Sequence, residues 1–146
     1  MRLNMDLVRE ILLCVEKNTG LHKGCYFIDE EQMESVCFAM GEETEPIQRY
    51  QKDIIDSGKA YDSATLFYHV VYCAEAGFLK TAKGAPTYRV TVEGLSVSGH
   101  EFVENIREEK RWKALKEKLR AVGSFALSVA AEAAKEMAII EIRKNI

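Results

Sequence analysis

Long apolar runs are missing from this chain. The most apolar stretch, near the C-terminus, is broken by Glu132, Lys135 and Glu136, so no segment reads as a membrane span. The N-terminus lacks a basic-then-apolar signal pattern, because Asp6, Arg9 and Glu10 interrupt it, and a cytoplasmic protein is expected. Paired metal-ligand motifs are lacking too. His22 and Cys25 form a lone H-x-x-C with Cys37 further on, whereas a zinc site wants four ligands in two tight pairs. The four cysteines therefore read as free thiols, with Cys14 and Cys73 as small core residues on helices. There is no G-x-S-x-G, no phosphate-binding loop and no H-E-x-x-H, and His22, His69 and His100 stand outside any nucleophile motif. The expectation is a protein that is not an enzyme, with no cofactor, no metal and no small-molecule substrate.

A strong charge of one sign is absent as well. Formal net charge is −3, which excludes a general polyanion binder. The distribution is uneven. Residues 1–60 hold 7 basic and 12 acidic groups, residues 61–100 hold 3 of each, and residues 101–146 hold 10 basic and 8 acidic groups. The cations concentrate between Arg107 and Arg120, with 7 basic against 3 acidic groups, which on a helix most often makes a solvated face.

The 146 residues suffice for one domain, or one domain with an appendage, and for a core without staples. Asn4 is a suitable N-cap, and Leu7, Val8, Ile11, Leu12 and Val15 make one apolar stripe, so the first helix runs to about Asn18. Cys25 to Ile28 reads as a short strand. Glu30 to Met40 and Pro46 to Asp56 each have helical character across the acidic connector Gly41 to Glu45, and the pattern does not choose which is the second helix of a helix-turn-helix. Asp62 or Ser63 caps a further helix. Leu66, Val70, Cys73 and Ala74 point inward, Thr65, Tyr68, His69 and Tyr72 fall on or near the opposite face, and Gly77 ends it. Phe78 to Thr81 and Thr87 to Val92 then form a hairpin with its tip at Ala82 to Pro86. This order predicts a mostly α fold with a small β-hairpin: a winged helix-turn-helix at residues 1–95, followed by a helical extension at residues 96–146.

In the extension, Ser96 or Ser98 caps a helix, Ser98 having capping-box spacing to Glu101. Phe102, Val103 and Ile106 form one apolar patch, and Trp112, Leu115, Leu119 and Val122 form another on roughly the opposite side. Either the helix breaks near Glu108 to Arg111 or it is continuous and packs on two surfaces. In both cases the second patch is expected to serve a partner other than the winged core. Gly123 and Ser124 end this segment and cap the next, in which Phe125, Val129, Ala133, Met137 and Ile140 make a stripe. The two segments read as an antiparallel helical hairpin that self-associates, most simply as a two-fold dimer, with Trp112, Leu115, Leu119, Phe125, Val129 and Met137 at the interface.

Three blocks carry a resemblance. N4-M-D-L-V-R-E-I-L-L13, Y68-H-V-V-Y-C-A-E-A-G-F-L79 and G94-L-S-V-S-G-H-E-F-V-E-N-I-R107, followed by Trp112, resemble an uncharacterised family of small bacterial and prophage-associated proteins, a domain of unknown function. The match spans most of the chain outside residues 21–60, which look longer than usual. Val97 and Ser98 stand where the family has Trp-Glu, and Tyr72-Cys73 where it has Leu-Leu. The resemblance implies a winged-helix-like fold and a bacterial or phage origin. It supplies no activity.

Two functions compete. A DNA-binding regulator would place Thr65, Tyr68, His69 and Tyr72 in the major groove of double-stranded DNA and set Lys80, Lys83 and Arg89 against phosphates. The helix nevertheless carries no Lys or Arg, although phosphate neutralisation normally supplies much of the affinity. The rival is a protein-interaction adaptor that keeps the scaffold without binding DNA.

Overall fold

The computed structural model describes residues 1–57 and 61–145. The chain is mostly helical, with a small three-stranded antiparallel sheet. Helix α1 (Met5–Asn18) starts where the Asn4 side chain accepts the Leu7 amide, and its Leu7, Val8, Ile11, Leu12 and Val15 are fully buried. Strand β1 (Cys25–Ile28) follows, then α2 (Glu30–Met40), capped by Asp29 and ended by Gly41 in the left-handed conformation. Both segments with helical character are helices, but the second, α3 (Arg49–Ile55), begins three residues after Pro46. Helix α2 is the one that packs against α4 (Ser63–Glu75), and its Glu30 amide donates to Ser63 Oγ at 3.0 Å.

Helix α3 has another task. The outer edge of β1 presents the Tyr26 and Ile28 backbone groups to whatever lies beside the sheet. Tyr26 N–H donates to the Tyr50 hydroxyl, which donates back to the Tyr26 carbonyl, both at 2.8 Å. Ile28 N–H donates to Gln51 Oε1 at 2.9 Å, and Gln51 Nε2 donates to the Ile28 carbonyl at 2.7 Å. Two side chains of α3 thus stand in for a neighbouring strand and close an edge that would otherwise invite pairing. Gln51 is fully buried, as that role requires.

Strands β2 (Leu79–Thr81) and β3 (Arg89–Leu95) form the expected hairpin, with β3 in the centre of the order β1-β3-β2. The chain leaves α4 through Gly77 at φ 87°, and Ser96 closes the hairpin by donating from its amide to the Phe78 carbonyl. Of the two candidate caps for α5 (Val97–Ile106), Ser96 performs the task, accepting from the Gly99 amide at 3.0 Å. A Cβ on Gly99 would lie 2.2 Å from the Phe78 carbonyl oxygen, so only glycine lets α5 sit this close to the hairpin's root. Phe78 and Phe102 stack across that approach at 5.1 Å. The E-A-G-F-L and G-H-E-F segments are therefore in direct contact.

The helix after Ile106 breaks, and α6 (Glu109–Val122) and α7 (Leu127–Lys144) follow. Gly123 ends α6 at φ 72°, but Ser124 does not cap α7, which begins after Ala126 without a side-chain cap. Arg111 near the start of α6 pairs with Glu141 near the end of α7 at 3.0 Å, so the two run antiparallel. The break changes the fate of the second apolar patch. It turns Trp112, Leu115 and Leu119, each 1% exposed, into the same core that holds α1, α4 and α5. The expectation that these three await a separate partner is corrected accordingly: a bend of two residues lets them reach the core that the first patch occupies, while Val122 stays 66% exposed. No helix among the described residues is long and apolar enough to cross a membrane.

Candidate interaction surface

Helix α4 and the hairpin carry the residues singled out for a nucleic-acid surface, and they do not share one exposed face. Tyr68 is 49% exposed. Thr65 is half-buried, and its carbonyl accepts from His69 Nδ1 at 2.8 Å. His69 is fully buried, and its Nε2 accepts the Asn4 amide at 2.8 Å. This pair of partners sets the tautomer with the proton on Nδ1. His69 is thus a strut between the first turn of α1 and the body of α4, and it is not available to a groove. Tyr72 is half-buried against the core, and a shallow cleft of about 270 Å³ separates α4 from the start of α7 beside it.

On the hairpin, Lys80 and Lys83 are exposed. Arg89 is not free. Its guanidinium is bonded to the Glu45 carboxylate, and both side chains are largely covered. Tyr88 and Cys37 lie beside that pair in a small second core with Ile28 and Met33, and burial with Glu45 close by pushes the Tyr88 phenol up to about 12. The acidic connector, which drew attention only by its charge, therefore supplies the counter-ion of one of three expected phosphate contacts.

The surroundings of α4 are acidic. Residues 29–48 hold seven carboxylates and no Lys or Arg. Glu31 and Glu34 point outward on α2, Asp62 caps α4, and Glu75 ends it. The Asp62 carboxyl is held below its usual range by the Thr65 amide that it accepts. At the end of α2, Phe38, Ala39 and Met40 are consecutive and all exposed, Phe38 at 90%. The sequence reading missed this run. Its signal was the pattern of α2 itself: with Met33 and Cys37 inward, Phe38 points outward.

The basic run of α6 is partly consumed. Arg107 bonds both oxygens of Glu16 at 2.7 Å and also Glu104. Arg111 pairs with Glu141, and Lys116 with Asp6 at 2.9 Å. Asp6 also accepts the Trp112 indole N–H at 2.8 Å, while Arg9 and Lys116 lie over the ring at 5.9 and 5.7 Å. Among the described residues, Lys110, Lys113, Lys118 and Arg120 make no ion pair. Between α6 and α7 runs a groove of about 510 Å³, floored by Leu115, Ala134, Met137 and Ala138 and open at Ile140, which is 46% exposed. Of the remaining expected interface residues, Phe125 and Val129 are 37% and 40% exposed and Met137 is half-buried.

No group of three or more His, Cys, Asp or Glu side chains among the described residues is placed to hold a metal ion. Burial pushes the thiols of Cys25 and Cys73 up to about 12 and that of Cys14 up to about 11, so none of these three is a thiolate near neutral pH.

A family model described as "Hypothetical protein (DUF2513)" matches residues 2–125, from the start of the chain to the connector before α7. No curated protein and no solved structure matches.

Proposed function

Since the chain belongs to the DUF2513 family, whose description names no activity, we propose from the geometry that it is a winged-helix module that binds protein and does not read DNA. The element order, the β1-β3-β2 sheet and the pairing of α2 with α4 support the winged-helix reading, with α3 as an insertion and β2–β3 as the wing. The observation that carries the functional reading is the face of α4. It holds no cation, turns His69 inward, half-covers Thr65 and Tyr72, and lies beside a segment of seven carboxylates. A polyanion approaching this face meets repulsion where it needs neutralisation. An exposed tyrosine with uncharged neighbours suits a protein interface.

The DNA reading rests on Lys80 and Lys83 at the wing and on the free cations of α6. Fluorescence polarisation with labelled random duplex separates the two. The protein-binding reading expects a dissociation constant weaker than about 10⁻⁴ M at physiological salt, the weak limit for non-specific binders. A photo-crosslinking residue at position 68 in cells is expected to give discrete protein adducts. Tighter DNA binding that Lys80→Ala and Lys83→Ala abolish, or nucleic-acid adducts from position 68, would overturn it.

A further inference from the structure

We propose that a second copy of this chain docks head to tail, its α2 knob entering the α6–α7 groove. This contact is independent of what α4 binds. The knob is the Phe38-Ala39-Met40 run, with Phe38 90% and Met40 66% exposed. Exposed apolar residues are ordinary when scattered, but three in succession at the end of a helix need a reason. Glu34 and Glu31 lie one and two turns before Phe38 on its face of α2, and Glu42 and Glu43 follow it, all exposed. The knob is therefore an aromatic side chain flanked by carboxylates, before it on its own helix and after it in the connector.

The groove has the complementary character. Its floor is apolar, its volume of about 510 Å³ accommodates an aromatic ring with its neighbours, and Lys110 and Lys144 stand at its rim without ion pairs among the described residues. The groove's two carboxylates, Glu141 and Glu108, both pair with Arg111, at 3.0 and 3.7 Å, which leaves these two lysines unmatched. Carboxylates around the knob supply what the rim lacks, and the apolar floor supplies what Phe38 lacks. Both surfaces occur on the same chain, hence at equal concentration, which makes a second copy the occupant that carries both complementary faces. Knob and groove are different surfaces, so the contact is heterologous: each copy gives one and receives one.

That property gives a decisive test on the full chain. Sedimentation velocity from micromolar to hundreds of micromolar is expected to show mass rising with concentration, less so at high salt. Phe38→Asp removes the knob and Ile140→Asp blocks the groove, and each is expected to weaken association at least about a hundredfold, as hot-spot substitutions do. Mixing the two variants brings one intact knob together with one intact groove, so a one-to-one dimer is expected to return and to grow no further. Circular dichroism checks that both variants fold. Should Ile140→Asp unfold α7, the double variant Lys110→Glu/Lys144→Glu serves in its place, with about tenfold weakening expected from the rim alone. A wild-type monomer throughout, association that Phe38→Asp leaves unchanged, or a mixture that stays monomeric would each overturn the proposal.

Discussion

His69 lies about 60° from Leu66 on a helical wheel, at the margin between the inward and outward arcs of α4. Periodicity assigns such a position to neither side. What decides it is α1, whose first turn lies alongside and offers the Asn4 amide. Removing the ring by His69→Ala leaves that part-buried amide without its partner, while the Thr65 carbonyl keeps its helical bond, so a loss of about 1–3 kcal/mol is expected in urea denaturation. A variant of unchanged stability would return His69 to the surface. Arg89 was equally illegible, because its partner Glu45 is 44 positions away in the chain and nothing local marks the pair. Asn4 and Asp62, by contrast, were legible, since a cap acts on amides three residues on.

The same scale sets the acid response. The Arg107 guanidinium bonded to Glu16 holds its carboxyl below the ordinary value of 4.5, and Asp62 is lowered in the same sense by the Thr65 amide. A carboxyl with a depressed folded pKa contributes stability above its unfolded pKa, and that contribution is lost as pH falls through the folded pKa. Thermal melts of the wild type are expected to hold steady near neutrality and fall in the acid range. Glu16→Gln should melt lower at neutral pH, with the gap to wild type closing below about pH 4.5. A gap that persists into strong acid would mean that the ion pair is not what Glu16 contributes.

At the scale of elements, those that announce themselves by a local device were readable in the sequence: the stripe of α1, the Gly77 stop, the hairpin turn and a serine cap for α5, though not the choice of Ser96 over Ser98. Helix α3 was readable as a helix but not as an edge guard, because Tyr50 and Gln51 act on strand residues 24 and 23 positions away. Gln51→Leu would leave the Ile28 amide and carbonyl buried and unmet, and about 2–4 kcal/mol of destabilisation is expected, with aggregation through the opened edge. Light scattering and denaturation on that variant check both parts; a soluble variant of wild-type stability would show that the edge needs no guard. Gly99 makes a second element-level case. A methyl group there meets the Phe78 carbonyl, so Gly99→Ala should push α5 off the hairpin's root at about 1–3 kcal/mol. Neutral behaviour in urea denaturation would mean that α5 has room to move.

Across the whole molecule, the two apolar patches on either side of residue 107 gave rise to the expectation of a partner for Trp112. The geometry behind it was sound for a straight helix, and the break at Arg107 and Glu108 removed the premise. Trp112 instead ties α6 to α1 through Asp6, so the C-terminal helices and the N-terminal half share one core. What remains exposed is divided by chemistry: a carboxylate-rich side around α2 and α4, and a cationic side along α6. This division, more than any single residue, argues against a DNA-reading surface at α4, since affinity for a duplex scales with the phosphates neutralised there.

The proposal that α4 and the β2–β3 hairpin do not read DNA is tested most directly by nuclear magnetic resonance, titrating the isotopically labelled chain with random duplex DNA at low salt. Amide signals from Ser63–Glu75, Leu79–Thr81 and Arg89–Leu95 are expected to stay in place, with any weak, salt-sensitive shifts confined to α6 around Lys110, Lys113, Lys118 and Arg120. Saturable shifts along α4 and the hairpin, centred on Tyr68, Lys80 and Lys83, would contradict it.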